Sequence, residues 1–351
     1  MRTSVIEMEL PSSEEMSGFD PEEQLATRAA WLYFVGSNTQ AEIGKKLGLT
    51  RVRINRLLAL AREQGLVQIK VTGRLSDCVA LEEQLKERFK LHHAVVVPTP
   101  LNRNQLPYLI GNAAGHYLGS QLKDGMSVGV GWGRTLRYSL RSVPRRLYKD
   151  LSVVSLMGGL TQASLVNPHE TASHLADIVG AQCYYIAAPA LTDSEATRDI
   201  FLKQSMVRDV FERGAKVDLA LLSVGELTHP NTMMQVGLIS NAEATSLLKA
   251  GAVGDICVHW IDAAGEVIDH PLNRRVIALP PNKLKNIPRV ILASGGRSKV
   301  SVLYGALFAG FGNVLVTDEQ TARGVLDRAD GRRQPLPVSQ SSGSQRSRNQ
   351  V

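Results

Sequence analysis

Three cysteines in 351 residues, Cys78, Cys183 and Cys257, are too few and too scattered for a disulfide framework, and none has a zinc-binding spacing. They are expected as buried, reduced thiols. Long apolar runs are missing too. Nothing approaches 18 consecutive apolar residues, which excludes a membrane-spanning helix, and the opening MRTSVIEMEL has no apolar signal core. A cytoplasmic location is expected. HExxH and CxxC are absent, so the sequence offers neither of these metal or dithiol sites.

What is present is ordinary globular composition, 44% hydrophobic and 21% charged, on a chain long for one core. Two domains with tails are expected. The net charge of +7 is unevenly spread. Residues 1–20 carry one basic and five acidic side chains, 21–75 nine and four, and the tail from 331 four and none. Positive charge gathers where nucleic acid contact would need it. The tail GRRQPLPVSQSSGSQRSRNQV has little to bury and is expected to be disordered. The division is therefore a disordered segment 1–20, a helical basic module 21–75, a larger domain with a linker helix 76–330, and a disordered basic tail 331–351.

The module is carried by TQAEIGKKLGLTRVRINRLLALAREQGLVQIKV, Thr39 to Val71. Thr39 with Glu42 three residues on forms a capping box, and Gly48 followed by Thr50 makes a turn and a second cap. A second helix starts at Arg51. Its Ile54, Leu57, Leu58 and Ala61 fall on one apolar stripe, which turns Val52, Arg53, Asn55, Arg56 and Ala59 outward. Arginine bridges the two guanine acceptors and asparagine pairs with adenine, so this face suits reading bases in a major groove. The candidate DNA-contacting residues are Thr39, Gln40, Thr50, Arg51, Val52, Arg53, Asn55 and Arg56. A preceding helix, about Glu22 to Val35 with Leu25, Ala29, Leu32 and Tyr33 inward, completes the small core. Leu66 to Val71 reads as a wing strand.

Beyond it, Cys78, Leu81, Leu85 and Phe89 recur at helical spacing in a linker helix, either a subunit contact or a simple surface helix. Seven short apolar runs follow, at Ala94–Pro98, Ser127–Gly131, Leu151–Gly159, Cys183–Pro189, Leu219–Gly225, Arg289–Gly296 and Asn313–Asp318, most separated by helical patterns. The class is α/β, with a mostly parallel sheet covered on both faces. GVGWGRT, MGGLTQ, SVGELT and SGGRSK end four of the runs in glycine and polar residues. Ligands bind beyond the carboxyl ends of such strands, and a phosphate or polyhydroxylated molecule fits that mouth. The first loop is GxGxG, not GxGxxG, and the nearest acid, Asp150, precedes the next strand, so a dinucleotide site is rejected. His169 and His174 sit five apart, on different helix faces, and read as structural.

Together these stretches resemble the SorC family of sugar-responsive bacterial transcriptional regulators over about residues 22–327. The resemblance rests on the Thr39 segment, GVGWGRTL, GAVGDICVHWIDAAGEVID (251–269) and ILASGGRSKVSVLYGALFAGFGNVLVTDEQTARGVL (291–326). VSLMGGLTQASLVNPHETASHLADIVG (154–180) further resembles the branch of erythritol-type polyol regulators. The resemblance implies a winged helix-turn-helix joined to a Rossmann-like effector domain of the sugar-phosphate isomerase and deaminase type, dimers or tetramers on operator DNA, and a phosphorylated sugar or polyol as effector. It implies an effector pocket of Gly131, Gly133, Arg134 and Thr135, then Gly158, Gly159 and Thr161, then Gly225 and Glu226, completed by Asp255 and Lys299. Trp132 stands where the family often has a small or polar residue. A regulator without catalysis, metal or cofactor is the resulting expectation. A sugar-phosphate isomerase or deaminase and a constitutive DNA-binding protein are the alternatives.

Overall fold

The computed structural model describes residues 21–36, 38–64, 66–67, 76–160, 167–228 and 231–331. The chain divides into two compact units between Ser76 and Asp77. The expected terminal disorder at 1–20 and from 332, and most of the expected wing strand, lie outside the described residues.

The first unit holds α1 (Pro21–Phe34), α2 (Gln40–Leu47) and α3 (Arg51–Glu63). Thr39 opens α2 as a reciprocal cap. Its hydroxyl accepts the Glu42 N–H at 3.3 Å, and its own N–H donates to the Glu42 carboxylate at 2.8 Å. Those bonds hold the Glu42 carboxyl below its usual pKa. Gly48 closes the helix at φ 68°, a left-handed conformation that glycine adopts without steric cost. The Thr50 hydroxyl then accepts from Arg53 N–H at 3.3 Å to start α3. Ala26, Ala29, Ala30, Ile43, Ile54, Leu57, Leu58, Ala61 and Val67 form the core. On α1 the expected inward Leu25, Leu32 and Tyr33 prove only partly buried. Three alanines take the centre instead, because small side chains let α1 lie close against α3.

In the second unit a parallel sheet runs β1-β10-β9-β5-β2-β3-β4. The strands are β1 (His93–Val97), β2 (Ser127–Val130), β3 (Ser152–Gly159), β4 (Gln182–Pro189), β5 (Leu219–Leu222), β9 (Arg289–Ala293) and β10 (Val314–Asp318). Side chains alternate between two cores. Leu219, Leu221, Ile291, Ala293, Val314 and Val316 face α5 (Leu106–Gln121), α6 (Arg134–Ser139) and α7 (Pro168–Val179). Ala220, Leu222, Val290, Leu292 and Leu315 face the other side. That side is covered by α4 (Ser76–Phe89), α13 (Val300–Phe308) and α14 (Glu319–Ala329), among others. Each fully buried leucine or valine contributes about 1.5–3 kcal/mol. The linker stripe Cys78, Leu81 and Leu85 on α4 is spent on this second core.

Further helices are α8 (Glu195–Lys203), α9 (Ser205–Gly214), α10 (Thr232–Gln235), α11 (Asn241–Lys249) and α12 (Pro281–Leu284). One expected strand divides. The run LALLSVG breaks at Ser223, and β6 (Val224–Glu226) leaves the parallel sheet for an antiparallel one with β7 (Gly254–Ile256) and β8 (His259–Ile261). Cys257 and Val258 link β7 to β8 with φ of 49° and 62°, the positive values that a tight two-residue hairpin turn demands. Neither residue type favours that region, so the turn is strained.

Candidate functional site

A cavity of about 390 Å³ opens at the carboxyl ends of β2, β5 and β9, which are neighbours in the sheet. The chain leaves β2 toward α6 on one face and β9 toward α13 on the other, so a crevice is left between the two exits. Its wall comes from Trp132–Thr135 after β2, Ser223–Glu226 after β5, and Gly295–Lys299 after β9. The start of α5 closes one side with Leu106, Pro107 and Ile110, preceded by Arg103. Thr232 and Met233 of α10 and Asp255 of β7 complete it.

Local bonding fixes the loops. Gly296 N–H donates to Thr321 Oγ1 at 2.7 Å and to Asp318 Oδ1 at 3.2 Å. Thr99 holds the other oxygen of Asp318 at 2.6 Å, so β1, β10 and the last loop are tied together. Lys299 Nζ donates to the Val224 carbonyl at 2.9 Å and stands 3.5 Å from Glu226 Oε2. Gly225 pairs with Asp255 across β6 and β7. A Cβ at Gly225 would collide with the Asp255 carboxylate, which explains glycine there.

Asp255 is 3% exposed and accepts the Val258 N–H at 3.1 Å. Burial raises its pKa from 3.8 to about 7, while the Val258 bond and the Lys299 charge pull it down and Glu226 adds to the rise. Next to it, burial raises the Cys257 thiol and lowers His259 to about 4, the latter opposed by its bond to the Cys257 carbonyl at 2.9 Å. The cavity thus presents Arg103, Arg134, Arg297 and Lys299 beside Glu226 and Asp255. Cations with two carboxyl groups suit a ligand that is both anionic and hydroxylated.

Of the residues expected here, Gly133, Arg134, Thr135, Gly225, Glu226, Asp255 and Lys299 lie together in the wall. Gly131 does not: its N–H donates to Leu221 O at 3.0 Å, and it sits against Leu222 just past the end of β2. Gly158 and Gly159 also stand outside the lining. A Cβ on Gly158 would strike the Ala188 and Pro189 carbonyls, and one on Gly159 the His169 ring, so both serve close packing of β4 and α7. Thr161 lies outside the described residues. Arg103 and Arg297 were not anticipated. Arg297 lies inside the quoted SGGRSK, whereas Arg103 precedes α5 and no local pattern marks it.

On the first unit, Thr39, Thr50, Arg51, Val52, Asn55 and Arg56 are exposed, Val52 to 66%. Gln40 bridges the two helices, donating to Asn55 Oδ1 at 3.0 Å and accepting from Arg51 Nε at 3.3 Å. Arg53 is half-buried and reaches Glu22 of α1 at 2.8 Å. The histidines are engaged locally: His169 Nε2 meets Ile186 O at 3.1 Å, and His174 Nδ1 meets Arg137. Among the described residues no group of three or more His, Cys, Asp or Glu is placed to hold a metal, and no helix is long and apolar enough to cross a membrane.

A helical basic unit followed by an α/β domain with an anion-suited cavity defines a class that comparison makes specific. Residues 73–327 match the family described as "Putative sugar-binding domain". Over 316 residues the chain is 31% identical to the erythritol catabolism regulatory protein EryD of Brucella abortus (strain 2308), covering 89% of this chain and 99% of that one. Over 309 residues it is 32% identical to the deoxyribonucleoside regulator of Bacillus subtilis (strain 168), covering 87% and 98%. The full-length sorbitol operon regulator SorC from Klebsiella pneumoniae has a similar structure, with a TM-score of 0.68, 26% identity, and coverage of 88% of this chain and all (100%) of that one. The chain belongs to the sugar-binding transcriptional regulators of the SorC and DeoR type.

Proposed function

We propose that this protein is a cytoplasmic regulator of a carbohydrate or polyol catabolic operon, whose operator affinity is set by a phosphorylated sugar or polyol in the cavity. In this reading residues 21–75 form a winged helix-turn-helix. Its α3 enters the major groove, with Arg51, Val52, Asn55 and Arg56 at base edges and Thr39, Gln40 and Thr50 at the backbone. Residues 76–330 bind effector and assemble dimers or tetramers, without catalysis and on a scaffold of the sugar-phosphate isomerase type. Gly131, Gly158 and Gly159 then act as support around the effector, not as its direct partners, and Thr161 contacts it from the loop after β3. Control is linkage: the effector binds two subunit arrangements unequally, and only one spaces the paired α3 helices by about 34–36 Å.

The observation that carries this reading is the grouping of Arg103, Arg134, Arg297 and Lys299 with Glu226 and Asp255 at one set of strand ends. A neutral polyol brings no anion to those cations. A phosphate ester engages both kinds of group. In a thermal-shift panel of pentose, hexose and polyol phosphates with their parent alcohols, an ester should raise the melting temperature and shift operator affinity. At a hundredfold excess over Kd the stabilisation is about 2.7 kcal/mol. Lys299→Ala should weaken the ester more than its parent. Binding of unphosphorylated polyols alone, or equal loss for both forms, overturns the phosphate assignment.

The Asp255 carboxyl, with a pKa of about 7 beside Lys299, favours one rival reading, proton transfer on a sugar phosphate. Turnover of ribose 5-phosphate or glucosamine 6-phosphate by the purified chain would establish it.

A further inference from the structure

Glu226 is an acid in a cavity suited to anions. Its carboxylate stands 3.5 Å from the Lys299 ammonium, with both side chains 21% exposed. The same ammonium donates to Val224 O at 2.9 Å, so it holds one hydrogen bond to β6 and faces a carboxylate of the same strand before any ligand arrives. Asp255 lies against Gly225, between the two ends of this pair in the register of β6 and β7. Lys299 is therefore paired with one acid of the cavity, and its charge acts on the other. An incoming anion that takes Lys299 must displace a resident one.

We propose that Glu226 is a specificity-determining residue, an internal stand-in for the effector's anion that holds Lys299 until one ligand supplies both an anion for the lysine and hydroxyls for the released carboxylate. This rests on the reading of the cavity as the site of a phosphorylated sugar or polyol. Free phosphate meets only half of the requirement. It takes the lysine but leaves Glu226 without its cation and next to a second anion, in a setting too sheltered for water to compensate fully. A phosphorylated polyol gives back what it removes, because a carboxylate accepts strongly from neighbouring hydroxyls. A neutral polyol brings no anion and leaves the pair closed. Rejection of inorganic phosphate thus comes from Glu226, while the arginines around it attract every anion alike.

The test compares full-length wild type with Glu226→Gln, which keeps the shape and removes the charge, and with Glu226→Ala as a second variant. Circular dichroism establishes that each is folded. Calorimetric titration then measures inorganic phosphate, glycerol 3-phosphate and ribose 5-phosphate. Both variants should bind inorganic phosphate about tenfold or more tighter than wild type, a gain in the range measured for close charge pairs. Their preference for an ester over inorganic phosphate should shrink. Unchanged or weaker phosphate binding by both folded variants would overturn the role of Glu226 while leaving the effector site intact. Wild-type protein that binds free ribose or glycerol and none of the phosphates would overturn the site reading itself.

Discussion

Removing the Asp255 charge should change how stability depends on pH. The carboxyl is fully buried at the foot of the cavity, and its pKa moves from 3.8 to about 7 on folding. Because the folded state holds the proton more tightly, its contribution is fully present below the unfolded value and is lost as pH rises through about 7. The whole shift corresponds to on the order of 4 kcal/mol, and roughly two-thirds of it, about 2–3 kcal/mol, falls between pH 5 and pH 8. Asp255→Asn keeps an acceptor for the Val258 N–H but cannot ionise. At roughly 2–4 °C per kcal/mol for a domain of this size, the melting temperature of the variant relative to wild type should rise by about 5–10 °C over that range. Differential scanning calorimetry on both proteins without effector, in buffers of matched ionic strength, reads it directly. A difference that stays constant from pH 5 to pH 8 would refute the buried, proton-holding Asp255.

Two further outcomes follow from the geometry. Arg56→Ala should cost about 1–3 kcal/mol of operator affinity and relax base preference. Arg53→Ala should cost less, since Arg53 is half-buried against α1 and its exposed pair with Glu22 is worth at most about 1 kcal/mol. Fluorescence anisotropy on operator variants ranks the two, and a larger loss of base preference from Arg53 would reverse the assignment. Gly225→Ala should abolish the effector response while sparing DNA binding, because the added methyl runs into the Asp255 carboxylate in the second unit. Retained effector affinity in that variant, measured by calorimetry, would show that the cavity tolerates the shift.

The parts of this fold that were legible are those in which a local pattern has one structural solution. The Thr39 and Glu42 pair and Gly48 marked α2 because a cap and a left-handed turn need those residue types. The seven parallel strands showed as apolar runs because both of their faces are covered. β7 and β8 were not read as strands. They are three residues each, and their turn is Cys257-Val258, without the glycine or asparagine that normally announces a hairpin. The break at Ser223 was hidden for a related reason, since LALLSVG is one apolar run whichever sheet its end joins. In the site, glycine was an ambiguous sign. Gly225 and Gly133 line the cavity, whereas Gly158 and Gly159 let backbone and a histidine ring come near, and only tertiary packing separates these uses. Arg103 reaches the cavity from before α5, 120 positions from Ser223 and 192 from Gly295, which no local spacing reveals.

The pairing of β1 with β10 imposes an order of events on the newborn chain. β1 is the sheet's edge and bonds to β10, so residues 93–97 wait for residues 314–318 before they have a partner. The helical unit has its core complete by Val67. At about 5–20 residues per second, tens of seconds of translation separate the two points, whereas helices form within about a microsecond. During that interval the ribosome carries a folded proposed DNA-reading unit on an unclosed sheet. A chain ended anywhere from residue 76 to residue 294 keeps that unit and lacks the Gly295–Lys299 wall of the cavity. Premature stops in this gene therefore fall into a distinct class: they leave the core of the helical unit complete while removing both the partner of β1 and the last wall of the cavity.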